Sequence, residues 1–140
     1  MLLLGDICEL LAMASSKHDV QVVKGKMPFE WPSLMLFNNK RCQFLTPEFV
    51  QNAANPFDLK WAKSVGDLPS EWNHCVGYDK PRRDVKLVHF TQGVPLFPET
   101  EHSEYTAEWR AELEAAVDSE SWETLMGQSV HTPHVMGATG

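Results

Sequence analysis

Apolar and polar positions alternate along the chain with two periods, and the switches between them mark the elements. Ile7, Leu10, Leu11 and Ala14 recur at helical spacing. Asp6 stands at the start of that run and Glu9 comes three residues later, a capping-box pattern that predicts a helix to about Met13. Val20 to Lys24 is short and β-branched, and predicts a strand. Gly25 to Pro32 holds two prolines and predicts a loop. Ser33 to Phe37 is continuously apolar after its first residue and ends in Asn38-Asn39, as a buried strand with a turn at its end would. Thr46-Pro47-Glu48 supplies a capping hydroxyl, a proline at the first helical position and an acid in the first turn. A helix therefore runs from there to about Ala54, where Asn55-Pro56 ends it.

The middle of the chain is less regular. Phe57 to Trp61 reads as either a strand or an extended loop, and Gly66 and Pro69 punctuate the next stretch. Trp72 to Val76 and Lys86 to Phe90 read as short strands, separated by the charged turn Asp79 to Asp84. Gly93, Pro95 and Pro98 predict a stiff loop. Tyr105, Trp109, Leu113 and Ala116 share one face of a helix expected over Ser103 to Val117. A last short helix carries Trp122, Leu125 and Met126, capped by Ser119 or Ser121, and residues 127–140 read as a frayed tail. Strands and helices alternate, so the expected class is α/β or mixed, in one domain over residues 1–126. The chain enters a packed element almost at once, without an opening strand, which suggests a truncated start.

Composition changes this picture little but excludes several partners. The chain has 140 residues, 43% hydrophobic and 10% aromatic, enough for a small core. Its formal net charge of −7 opposes binding to a phosphate backbone, so no nucleic-acid partner is expected. Met1 to Leu4 is apolar but stops at Gly5-Asp6, too short for a signal peptide, and no stretch approaches the ~20 apolar residues of a membrane span. Cys8, Cys42 and Cys75 are odd in number and widely spaced, so free thiols and a cytoplasmic location are expected rather than a secreted disulfide framework.

Candidate chemistry is sparse. No Gly-rich phosphate loop, GxSxG or HExxH is present. His89 closes an apolar strand just before a Gly/Pro loop, where ligands of α/β sheets gather. Its imidazole suits either a divalent cation or phosphate, or a backbone carbonyl that satisfies it within the fold. Trp72-Asn73 is either a sugar platform, with ring stacking and amide hydrogen bonds, or a core residue beside a backbone-bonded amide. Phe37-Asn38-Asn39 carries the same two readings, while Tyr105 and Trp109 read as core. His131 and His134, and Lys24 and Lys26, read as solvated.

Several of these segments, taken in order, resemble a known family. Leu68 to Asn73 is similar to the LPxxWN segment of glycogenin-like and bacterial galactosyltransferase-like glycosyltransferases. Leu87 to Pro95 resembles their HxxGxxKPW segment in variant form. The run WxSxMLFNN from Trp31 to Asn39, the helix start Leu45 to Glu48, LPxEWN and HFTxGxPxFPE from His89 to Glu99 resemble, in this order, a group of bacterial glycosyltransferase-like proteins. The likeness extends over about Leu4 to Glu112. It implies a partial GT-A (nucleotide-diphospho-sugar transferase) fold, a mixed sheet flanked by helices, and transfer of a sugar from a nucleotide-sugar donor such as a UDP-sugar, assisted by Mn²⁺ or Mg²⁺. By the same resemblance His89 is a metal or diphosphate ligand and Gly93 lets the backbone approach phosphate. Asn38, Trp72 and Asn73 then line the sugar or acceptor side.

Two departures qualify that expectation. The family's metal-binding DxD motif lies just before a segment like Met1 to Ile7 and is absent here, and the Lys and Trp of KPW are replaced, with Leu96-Phe97 after Pro95. A non-catalytic remnant or binding module of the same fold is the alternative reading.

Overall fold

The computed structural model describes residues 1–24, 33–55 and 58–119. Among them are six strands and three α-helices, in the order β1 (Leu2–Leu3), α1 (Cys8–Met13), β2 (Val20–Val22), β3 (Met35–Phe37), α2 (Pro47–Asn52), β4 (Val65–Asp67), β5 (His74–Cys75), β6 (Leu87–His89) and α3 (Thr106–Ser119). A single 3₁₀ turn, Ser70–Trp72, lies between β4 and β5. The class is α/β, as the alternation predicts. The expected single mixed sheet is instead two three-stranded sheets, ordered β1-β6-β5 and β3-β2-β4.

The second sheet is mixed. β2 pairs antiparallel with β3, Val20 opposite Phe37, and parallel with β4, Val20 opposite Val65. Its central strand is buried along its whole length, whereas β3 is half-buried and ends in an exposed Phe37. The continuous apolar run of β3 predicted burial on both faces. An edge position leaves it one neighbour, and its surface stays partly open. β4 and β1 were not expected. Gly66 looks like a loop signal, but a Cβ there would meet the His18 ring at 2.5 Å and Gln21 Cγ at 2.8 Å. This glycine permits close strand packing rather than a turn.

The helix starts follow local chemistry. Thr46 Oγ1 accepts from the Phe49 amide, and Pro47 opens α2, as the sequence predicts. Asp6 Oδ1 accepts from the Cys8 amide, so this acid caps α1 from one residue before the formal cap, Ile7. Glu9 does not close a capping box; it pairs with Lys86 Nζ. α3 begins at Thr106, later than expected. Tyr105 precedes it at φ 61°, and Ala116 is exposed, so the predicted apolar face reduces to the half-buried Trp109 and Leu113. Leu59 has φ 56°, and residues 58–61 form a turn rather than a strand. Phe57, the Gly25–Pro32 loop, the helix with Trp122, Leu125 and Met126, and the 127–140 tail lie outside the described residues.

The chain divides into two compact units. The larger comprises Leu3–His74 with Arg82–His89, and the smaller comprises Met1–Leu2, Cys75–Pro81 and, among the described residues, 90–119. In the larger unit Leu10, Val23, Leu68, Trp72 and Leu87 form an apolar cluster, with Met13, Leu34 and Leu36 packed against it. Leu4 and Gly5 amides both donate to the Lys86 carbonyl, which ties the chain after β1 to the start of β6. In the smaller unit hydroxyls brace loop carbonyls: Thr91 Oγ1 donates to Val76 O at 2.8 Å and Thr100 Oγ1 to Val94 O at 2.7 Å.

Candidate functional site

The larger unit is organised around a carboxylate that the sequence reading did not single out. Asp19 precedes β2 and is 2% exposed. Its Oδ1 accepts from Arg41 Nε at 2.6 Å, and its Oδ2 from the amides of Lys63 at 2.7 Å and Ser64 at 3.2 Å. The Asp19 carbonyl accepts from the Asn38 amide and from Cys42 Sγ. One residue thus fixes the end of β3 and the approach to β4. The Arg41 guanidinium holds its carboxyl below the usual range, against the opposing effect of burial, with help from the two amides. Burial pushes the neighbouring Cys42 thiol up, and the Asp19 charge adds to that. The available signal was an acid directly before a β-branched strand, a position that reads as solvated until the fold closes over it.

Asn38 is therefore held by its backbone. Its amide donates to Asp19 O, and its carbonyl accepts from the Arg41 and Cys42 amides. Its side-chain amide has no hydrogen bond among the described residues. It borders a hollow of about 260 Å³ in the larger unit, also lined by Leu11, Ser16, His18, Leu36 and Phe37. Gln21 anchors the hollow's rim, accepting from the Ser15 amide at 2.7 Å and donating to Met13 O at 3.1 Å. His18 Nδ1 lies 2.8 Å from Ser64 Oγ.

The other sequence candidates are placed elsewhere. Trp72 is fully buried in the apolar cluster, with Lys86 Nζ 5.5 Å from its ring centroid, so its face is occupied by the core. Asn73 is 8% exposed. Trp72 Nε1 and Asn73 Oδ1 have no hydrogen-bond partner among the described residues, an uncommon state for buried polar atoms. His89 is the last residue of β6 and is half-buried. None of Trp72, Asn73 and His89 lines the Asn38 hollow. Gly93 belongs to the smaller unit, at φ 111°, and borders a hollow of about 330 Å³ there with Gln92, Thr100 and Glu104.

A metal reading is testable on the donor set. Among the described residues no three His, Cys, Asp or Glu side chains are grouped to hold an ion. Among the described residues the metal that the resemblance implies therefore finds no formed ligand set, at His89 or elsewhere. Also among them, no helix is long and apolar enough to cross a membrane.

Comparison with known proteins adds one relative. The chain is 28% identical over 95 residues to Protein CDI of Arabidopsis thaliana, a match that covers 60% of this chain and 37% of that protein. The chain thus spans well under half the length of this curated relative. No family model and no solved structure matches the chain.

Proposed function

We propose that this chain is part of a nucleotide-sugar-dependent glycosyltransferase-like domain of GT-A type, and that its residues serve the sugar and acceptor side of transfer rather than the cation. One observation carries the reading. Each family-like segment falls where an element begins or ends: FNN closes β3, the LTPE threonine caps α2, LPSEWN links β4 to β5, and HF closes β6. Three of them, FNN, LPSEWN and HF, stand at the carboxyl ends of strands, where open α/β sheets gather ligand groups. Asn38 contributes a backbone-anchored amide, and Asn73 a buried acceptor oxygen. His89 stands at the end of β6 as a candidate partner for the donor diphosphate, supplied as UDP-sugar with Mn²⁺ or Mg²⁺. The described residues do not form a ligand set for the cation.

Titration calorimetry of the folded chain with UDP and Mn²⁺ tests this. Saturable heat at millimolar UDP, weakened in His89→Ala, is the expected result. No heat from a sample with a cooperative melt defeats the reading. The alternative, a non-catalytic binding module of the same fold, is motivated by the lack of the DxD motif before the segment Met1 to Ile7. It predicts UDP binding without release of free sugar from a UDP-hexose.

A further inference from the structure

We infer that the hollow beside Asn38 is a recognition site for an uncharged, hydroxyl-rich ligand of monosaccharide size. This goes beyond the transferase reading, on which only the ligand's role as acceptor rests; the ligand class rests on the hollow itself. Four observations combine. The volume is about 260 Å³, room for one hexose ring and little more. Among the described residues the lining contains no Lys, Arg, Asp or Glu, so it offers a phosphate or carboxylate no permanent counter-charge. Leu11, Leu36 and Phe37 supply an apolar side, and Phe37 remains 42% exposed while stacked on Trp61 at 6.1 Å. Asn38 supplies a donor and an acceptor with no competing partner among the described residues, on a backbone fixed by three hydrogen bonds.

That set of groups matches a sugar ring, which presents C–H faces to aromatic and aliphatic surface and hydroxyls to amides at its edge. The hydroxyl of Ser16 and the second nitrogen of His18 extend the polar side, since His18 Nδ1 is engaged by Ser64. Preorganisation favours binding: the Asn38 backbone has already lost its freedom to the Asp19 node, so the amide is positioned before a ligand arrives.

The test is saturation-transfer NMR on the full chain with a panel of methyl glycosides of glucose, galactose, mannose and N-acetylglucosamine, each at tens of millimolar. At least one glycoside is expected to bind, with a signal unchanged by saturating UDP and Mn²⁺. Asn38→Ala is expected to weaken it about tenfold, the loss of one anchored amide. Ser16→Trp, on an exposed turn at the rim, fills the hollow and is expected to abolish it. If Asn38→Ala lowers the melting temperature, Ser16→Trp decides. Absence of binding by every glycoside, or binding indifferent to Ser16→Trp, overturns the inference. Displacement of the glycoside by UDP alone also overturns it, because it would make the hollow a nucleotide site. Failure of the UDP titration with glycoside binding intact would remove the transferase reading and leave this one standing.

Discussion

The two compact units are held in opposite ways. The larger is built on a cluster of buried apolar side chains and a sheet whose central strand is fully covered. The buried Asp19 carboxylate is answered by a guanidinium and two amides. The smaller is built on turns: glycines at φ 85° and 111°, threonine hydroxyls on loop carbonyls, and a helix that buries little of its surface. Burial is non-directional and tolerates sequence change provided volume is kept, whereas turn geometry depends on particular residue types at particular positions. Substitutions should therefore damage the larger unit in proportion to volume removed, and the smaller in proportion to dihedral strain.

The largest effect is expected at Trp72. Trp72→Ala empties the centre of the apolar cluster and should cost about 3–5 kcal/mol of stability. Chemical denaturation measures it, and amide exchange localises it: protection of Val20, Gln21 and Val22 should fall furthest. A loss below about 1 kcal/mol would mean that the cluster relaxes into the space, and the volume argument for this unit would fail.

Next comes the charge node. Asp19→Asn keeps the shape but removes the charge that Arg41 and two amides address, and should lower the melting temperature by on the order of 10 °C near neutral pH. The Asp19 carboxyl is held below its unfolded value near 3.9, so its contribution is complete above that pH and fades as pH falls through the lower folded value. Wild type and Asp19→Asn should therefore converge in stability as the solution is acidified below about pH 4. A gap that stays constant down to strongly acid solution would show that the variant acts through packing.

How far the sequence foretold this molecule depends on the same division. β2, β6 and α2 were legible because their signals are local: a β-branched run, a short largely apolar run, and a threonine followed by proline and glutamate. β4 was not, because a glycine in a three-residue strand reads as a turn unless the neighbouring His18 and Gln21 are known to press against it. The exposure of β3 was misjudged since an apolar run cannot report whether a strand has one neighbour or two. At the candidate site Asn38 was singled out from its position at a strand end. Asp19, which holds it in place, was passed over because its partners lie 22, 44 and 45 residues away. Trp72 carried two readings in the sequence, and its burial answers with the core.

The smallest effect sharpens the comparison most, because it separates strain from space. Gly93 sits at φ 111°, a conformation that side chains rarely adopt, yet a Cβ there would have its nearest neighbours, Phe97 and Thr100, at 3.7 and 3.8 Å. Those are ordinary contacts, so Gly93→Ala brings no steric clash and its cost is dihedral alone, about 1–3 kcal/mol. Gly77 offers the contrast: there the Gln92 side chain stands at 3.0 Å from the same added atom, and crowding adds to strain. Both variants should lose stability, Gly77→Ala somewhat more, with exchange protection falling in residues 90–105 and staying unchanged in β2. If Gly93→Ala proves neutral, the loop re-forms in another conformation at no cost, and dihedral choice is not what holds the smaller unit.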